Sequence, residues 1–401
     1  MSAIPRRALP ALLSMMVGGF AIGTTEYAAV GVLPQIAAEF EISLARAGMV
    51  VSGYALGVSL GSPVLAALTG ELSRKALMLA IMALFVLANV MAALSASYEV
   101  LLLARVLSAL PHGVFFGVGA AIAASFVPPD RRAWAVALVF AGLTGAVAVG
   151  VPLATLIGQR LGWPQAYWFI ATLGLVSLLA MAVSLPRRIE LAPASGLREQ
   201  FRVLNSGRLL VAFGMNFCAW GGTFVTFAYL PNILTDISGF SATGVAWMLA
   251  LYGVSVILGN VLGGRVSEDA VLPALALMFA AQALVLWLFS FTASSVPGAA
   301  LTLAILGALM FCNVPGLALY VVQLAQRYRP GGVDVASTLN VSAANAGIAL
   351  GALMGGWVAD SRLGLGATPW VGACLVAVGL VLTLVSGWLD RRETGALRQL
   401  D

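Results

Sequence analysis

Long apolar windows alternate with short polar punctuation along the whole chain. They fall near residues 9 to 33, 46 to 69, 76 to 96, 99 to 126, 134 to 158 and 164 to 185, and then near 209 to 231, 242 to 264, 271 to 291, 297 to 325, 335 to 359 and 368 to 389. About 20 apolar residues in a helix cross the hydrocarbon core of a bilayer, so the pattern predicts twelve transmembrane helices. The fold class is then an all-α polytopic membrane protein, with two six-helix bundles. The first window follows Arg6 and Arg7 and is too long for a signal-peptide core, so it reads as the first span.

Composition agrees and removes several function classes. Of 401 residues 61% are hydrophobic and 9% charged, against about a quarter charged in soluble domains. The single lysine, Lys75, lies in Glu71-Leu72-Ser73-Arg74-Lys75-Ala76, which lacks the glycine-rich phosphate loop of nucleotide hydrolases. One histidine, His112, and three cysteines, Cys218, Cys312 and Cys374, all inside apolar runs, give no metal-ligand spacing. No metal, cofactor or nucleic-acid partner is expected. Gly57-Val58-Ser59-Leu60-Gly61 fits the nucleophile-elbow pattern of serine hydrolases, but it lies within an apolar helical window with the histidine on another span. An enzyme is not expected.

The net charge of +5 is informative through its placement. With the N-terminus inside, seventeen of the 21 basic residues fall in cytoplasmic segments, with Arg46, Arg160 and Arg362 outside and Arg105 within a span. Positive charge concentrates on the cytoplasmic side of membrane proteins, so both termini are expected there.

The longest polar stretch, Pro186 to Arg208, sits at the midpoint. Thr24-Thr25-Glu26-Tyr27 through Leu33-Pro34-Gln35-Ile36 is echoed by Gly221-Gly222-Thr223-Phe224 through Leu230-Pro231-Asn232-Ile233, 197 residues on; Tyr54 to Gly61 matches Tyr252 to Gly259 at 198, and Gly145 matches Gly347 at 202. The expected organisation is therefore a six-helix bundle over residues 1–185, a cytoplasmic linker over 186–208 and a second bundle over 209–401. Parallel repeats of this kind place a solute site near the midplane.

Ile22-Gly23-Thr24-Thr25-Glu26-Tyr27 with Gly31-Val32-Leu33-Pro34, Tyr54-Ala55-Leu56-Gly57-Val58, and Pro111-His112-Gly113-Val114-Phe115-Phe116-Gly117 carry a resemblance over nearly the whole chain. It resembles the major facilitator superfamily, and within it the twelve-span drug:proton antiporters of the arabinose/sugar efflux permease type. The resemblance puts Arg105 at the arginine of that family's fourth-span motif. It assigns gating to Arg74 and Lys75, to Arg265, Glu268 and Asp269 in the matching loop of the second half, and to Gly145, Gly150 and Pro152 in the fifth span. Two of these motifs are partial here. The second-to-third-span loop keeps only its paired basic residues, and the fifth span keeps Gly142, Gly145, Gly150 and Pro152 without the full glycine-proline spacing.

Of the sixteen acidic residues only Glu26 lies well inside a span. An ionised carboxylate there costs on the order of 3 kcal/mol unless paired, protonated or hydrated. That suits a proton carrier; the alternative is a permanent ion pair that fixes helix packing. Arg105 lies at a similar depth and is expected to face Glu26. Arg105, His112 and Phe116 fall on one helical line, a stripe expected to line the transport path. His112 titrates near neutrality in water, which leaves two uses open, proton handling or a hydrogen bond to solute or helix.

Glu26, Arg105 and His112 are thus the proton-coupling candidates. The solute-binding candidates are Tyr27, Tyr54, His112, Phe115 and Phe116 in the first half. In the second half Asn216, Trp220, Phe224 and Phe227 share helical spacing, Asn313 and Tyr320 share one face of the tenth span, and Asn340 and Asn345 lie in the eleventh. Rings supply apolar area while amides orient polar groups. The expectation is a monomeric, proton-driven exporter of a small organic solute such as a sugar, drug-like compound, nucleoside or siderophore, embedded in lipid and working by rocking of the two halves. A facilitator or proton symporter of the same fold is the alternative, and a receptor or channel a more distant one.

Overall fold

The computed structural model describes residues 8–69, 72–187, 189, 202–267 and 270–398. It contains twelve helices long and apolar enough to cross a membrane: α1 Ala8–Gly31, α2 Leu44–Leu65, α3 Arg74–Ala93, α4 Tyr98–Ser125, α5 Pro129–Leu161, α6 Trp163–Ser184, α7 Gly207–Phe227, α8 Ala242–Ser267, α9 Val271–Thr292, α10 Val296–Tyr328, α11 Pro330–Asp360 and α12 Leu365–Arg392. No strand occurs among the described residues. Helices satisfy every backbone group within the segment, which hydrocarbon cannot do for them.

The first span ends earlier than its apolar window. The helix stops at Gly31, Val32 takes φ −110° and ψ 5°, and a short helix Leu33–Glu39 restarts with Pro34 in its first turn. Proline has no N–H to donate and disfavours a helical residue before it. Proline also accompanies two π-helical turns. Gly57–Gly61 in α2 leads into Ser62–Leu68 with Pro63, and Ala146–Gly150 in α5 leads into Val151–Leu161 with Pro152. The Gly57–Gly61 segment is therefore helical and has none of the strand-turn-helix geometry of a hydrolase elbow.

Helix packing repeats with a shift of six. In the first half α1 packs on α5 and α6, and α3 on α4 and α6; in the second half α7 packs on α11 and α12, and α9 on α10 and α12. Equivalent threonines follow the same rule. Thr25 Oγ1 of α1 donates to Asn89 Oδ1 of α3 at 2.8 Å, and Thr223 Oγ1 of α7 accepts from Gln282 Nε2 of α9 at 2.6 Å. The sequence repeat thus corresponds to one packing scheme used twice, with Thr223 one residue beyond the position that the 197-residue offset pairs with Thr25.

Glycine sets how closely these helices approach. A Cβ at Gly142 would stand 2.1 Å from the Met16 carbonyl, and one at Gly347 would stand 2.2 Å from the Phe217 carbonyl. Gly142 is therefore the structural partner of Gly347. Gly145, paired with Gly347 by sequence, meets nothing closer than the Phe20 ring at 3.7 Å.

The chain forms two compact units. One comprises Met1–Ala194 with Tyr229–Asp236 and Phe240–Val254; the other comprises Ser195–Ala228 with Ile237–Gly239 and Ser255–Asp401. The units depart from the two sequence halves in one respect, because segments after α7 and in the first half of α8 pack with α1–α6. Most of the expected linker, 186–208, lies outside the described residues.

Candidate functional site

In the first unit α1, α2 and α4 bring Glu26, Tyr54, Arg105 and His112 together. Gly113 allows the approach of α2 to α4. Its N–H donates to Ser62 Oγ at 3.1 Å, and a Cβ on it would meet Ser62 Cβ at 2.7 Å. At the neighbouring residue, Tyr54 Oη lies 3.1 Å from His112 Nδ1, and Glu26 Oε2 lies 3.9 Å from the same nitrogen. The Phe116 ring stands 5.3 Å from the imidazole, with Phe115 and Phe140 packed on Phe116 at 5.6 and 5.0 Å. One nitrogen is thus addressed by a phenol and a carboxylate inside an apolar wall.

This arrangement has two proton states with different bonding. With Nδ1 bare, the Tyr54 hydroxyl donates to it. With Nδ1 protonated, the imidazolium donates to Tyr54 Oη and attracts Glu26. Moving one proton between carboxylate and imidazole therefore changes both contacts at once.

Arg105 lies close enough to Glu26 to act on its charge, as expected, but its hydrogen bonds go elsewhere. It is fully buried, its Nη1 donates to Thr25 O at 2.8 Å and to Thr25 Oγ1 at 3.1 Å, and its Nε donates to Val50 O at 3.3 Å. The guanidinium lies over the Tyr54 ring at 4.4 Å. No ion pair joins it to Glu26 among the described residues. Its part of the α4 stripe is sealed inside the helix packing and lines no open path. A buried cation needs several acceptors to offset lost hydration, and here backbone carbonyls of α1 and α2 supply them. Thr25, Val50 and Asn89 were not among the sequence candidates; the signal for Asn89 was a lone carboxamide in an otherwise apolar span. Tyr27 is buried on α1 beside Glu26.

The second unit holds an aromatic and amide patch. Trp220 packs against Phe311 at 5.2 Å and Phe224 at 6.2 Å, and Phe224 packs against Phe227 at 5.2 Å. At the other end of this row Asn216 Nδ2 donates to Asn340 O at 2.9 Å and Asn340 Oδ1 at 3.0 Å. The Asn216 amide nitrogen is thus engaged by Asn340, while the buried acceptor Asn216 Oδ1 has no hydrogen-bond partner among the described residues. Asn345 is turned to its own helix, where Nδ2 donates to Val341 O at 3.1 Å.

Asn313 and Tyr320 share a face as their spacing requires, but it is a face packed inside the bundle. Asn313 is fully buried and donates to Gln282 Oε1 at 3.0 Å, extending the Thr223–Gln282 bond into a chain across α7, α9 and α10. Tyr320 Oη lies 2.6 Å from Ser386 Oγ and donates to Asp390 Oδ2 at 3.3 Å, while Arg208 forms an ion pair with Asp390. These two residues therefore stand apart from the Trp220 row, on the other side of α10 from Phe311.

The gating candidates also separate. Lys75 Nζ donates to the carbonyls of Ala182 and Leu185, each at 2.6 Å, and so caps the C-terminus of α6, where carbonyls lack helical partners. Arg74 is buried and Arg265 is exposed in the last turn of α8. Glu268 and Asp269 lie outside the described residues. Gly150 is a packing position, since a Cβ there would stand 2.1 Å from Thr24 Oγ1. Pro152 lies in the first turn after the α5 π-turn.

Comparison with known proteins follows this geometry. The family model described as Major Facilitator Superfamily matches residues 15–340. The uncharacterized MFS-type transporter YtbD of Bacillus subtilis is 44% identical over 96% of this chain and 97% of its own length. The chloramphenicol resistance protein of Streptomyces lividans is 30% identical over 92% of this chain and 94% of its own. The crystal structure of a D-xylose-proton symporter superposes with a TM-score of 0.74 at 14% identity, covering 94% of this chain and 97% of that one, which is a likeness of fold.

Proposed function

This chain belongs to the Major Facilitator Superfamily, and we propose that it is a proton-coupled exporter of a small, neutral or weakly polar organic solute. The observation that carries this reading is Glu26 Oε2 facing His112 Nδ1 at 3.9 Å, with Tyr54 on the same nitrogen, deep in the first unit. A carboxylate in such a place is costly when ionised and unpaired. Binding a proton from one side and releasing it to the other therefore couples naturally to which way the site opens.

The aromatic row Trp220, Phe224, Phe227 and Phe311 with Asn216 supports an organic solute as the cargo. Similarity to a chloramphenicol resistance protein over almost the whole chain favours export. Seventeen of 21 basic residues on one side of the spans support an orientation in a bacterial cytoplasmic membrane with both termini inside. A membrane potential supplies about 2.3 kcal/mol per charge per 100 mV, roughly fifty-fold in concentration, which is enough to drive export.

The test is proton movement in everted membrane vesicles challenged with sugars, amphenicols, nucleosides and siderophores, for wild type and Glu26→Gln. Solute-triggered proton release in wild type and none in the variant is expected. Equal release in both would move the proton site to His112. Solute counterflow without proton release in wild type would make the protein a facilitator.

A further inference from the structure

Three carboxamides of the second unit share one polarity. Asn216 of α7 gives Nδ2 to Asn340 O at 2.9 Å, and Asn345 of α11 gives Nδ2 to Val341 O at 3.1 Å. A backbone carbonyl only accepts, so in both residues the nitrogen faces it and the oxygen is left over. In Asn313 of α10 the same assignment follows through Thr223. That hydroxyl donates to Ala219 O and accepts from Gln282 Nε2, which leaves Gln282 Oε1 to accept from Asn313 Nδ2. Asn216, Asn313 and Asn345 are all more than nine-tenths buried, and none of their Oδ1 atoms has a hydrogen-bond partner among the described residues. Buried polar atoms in folded proteins find a partner, so each oxygen calls for a donor that the chain does not supply.

Asn216 differs from the other two in its company. It lies about 14 Å along α7 from Gly207, in the middle of the span, and Trp220 follows one turn later on the same face, packed on Phe311 and Phe224. Among the described residues of this unit's spans, charged side chains stand only near the helix ends. A cation at Asn216 would find no carboxylate at its depth, and an anion would meet the amide oxygen.

We propose that Asn216 Oδ1 is the recognition point for a hydrogen-bond donor on the cargo, an uncharged O–H or N–H carried on an apolar ring that lies against Trp220. That the ligand is cargo rests on the exporter reading. Selection of a neutral donor by the site does not. A ligand without the donor leaves the oxygen buried and unpaired, and sites built to bond a substrate hydroxyl discriminate strongly for that reason.

The test is binding to purified protein in nanodiscs, with no proton gradient, read by fluorine NMR. The probes are para-fluorobenzyl alcohol and its isomer para-fluoroanisole, of which only the alcohol can donate, and the cation para-fluorobenzylamine. Wild type is expected to bind the alcohol about tenfold or more tighter than the ether, and tighter than the amine. Asn216→Leu should bind the two isomers alike, whereas Trp220→Ala should weaken both and keep their ratio. Equal affinity of the isomers in wild type overturns the proposal and gives Asn216 Oδ1 to a retained water. Absence of binding, tighter binding of the amine, or an alcohol preference that survives in Asn216→Leu overturns it as well. If Asn216→Leu does not yield folded protein, the wild-type comparison of the three probes decides by itself. Failure of proton release in vesicles would overturn the exporter reading while leaving the isomer ratio as it is.

Discussion

Glu26 Oε2 stands 3.9 Å from His112 Nδ1, while Arg105 is bound to the Thr25 and Val50 backbone. The buried charges of the first unit are thus divided between two tasks. Arg105 ties α4 to α1 and α2, and Glu26 keeps a titratable neighbour. The choice between a proton carrier and a permanent ion pair at Glu26 can then be put to stability measurements.

Arg105→Lys loses a fork that donates to three acceptors and stacks on Tyr54, and an ammonium cannot reproduce that planar geometry. A loss of about 3 kcal/mol is expected, in line with breaking a buried charged network. Glu26→Gln should cost less than about 1 kcal/mol, since a neutral amide is easier to bury than a carboxylate. Thermal unfolding of the two variants in detergent checks this. Equal destabilisation would mean that Glu26 serves packing through Arg105 after all.

Gln282 is the middle of a three-residue chain, donating to Thr223 and accepting from Asn313. Gln282→Leu strands the Asn313 amide in an apolar interior, where an unsatisfied group costs about 1–3 kcal/mol, while Thr223 Oγ1 keeps its bond to Ala219 O at 2.9 Å. Adding Asn313→Leu removes that stranded group, so the double variant should be no less stable than Gln282→Leu alone. A double-mutant cycle on unfolding reads this coupling directly.

Trp220 carries the apolar contact area of the second-unit patch. Trp220→Ala is expected to raise the half-saturating solute concentration by about tenfold or more, and Trp220→Phe by much less, because an aromatic face contributes area and ring packing together. Asn313→Ala, on the opposite side of α10, should alter stability with little change in half-saturation. Equilibrium exchange of labelled solute separates the two.

Much of this architecture was legible in the chain because lipid imposes a simple rule on it. Every apolar window corresponds to a helix, and Thr25 and Thr223, one residue out of the 197-residue register of the repeat, take corresponding places in it. Periodicity also placed Asn313 and Tyr320 on one face, yet it carries no information on which face turns inward when all sides of a helix are apolar. Charge reading had the same limit. Arg105 could be located in depth, but two of its three acceptors are backbone carbonyls, which leave no trace in side-chain pattern. Lys75 was assigned to a gate by resemblance, whereas its carbonyl partners belong to the end of α6, more than a hundred residues away.

The fifth span offers the sharpest separation of resemblance from contact. Gly142 and Gly145 lie three residues apart on α5, and substitution by alanine adds the same methyl group to each. At Gly142 that methyl would meet Met16 O at 2.1 Å, Phe20 N at 2.7 Å and the Gly19 carbonyl carbon at 3.1 Å. All three are backbone of α1, which can yield only by moving the helix that carries Glu26. At Gly145 the nearest atom is a Phe20 ring carbon at 3.7 Å, an ordinary van der Waals distance. Alanine is favoured over glycine in a helix by about 0.8–1 kcal/mol, so Gly145→Ala should be neutral or slightly stabilising. Gly142→Ala should lower the midpoint of thermal unfolding by several degrees or prevent recovery of folded protein. Parallel melts of the two variants and wild type decide the matter, and a larger loss at Gly145 than at Gly142 would mean that α5 packs on α1 through the other glycine.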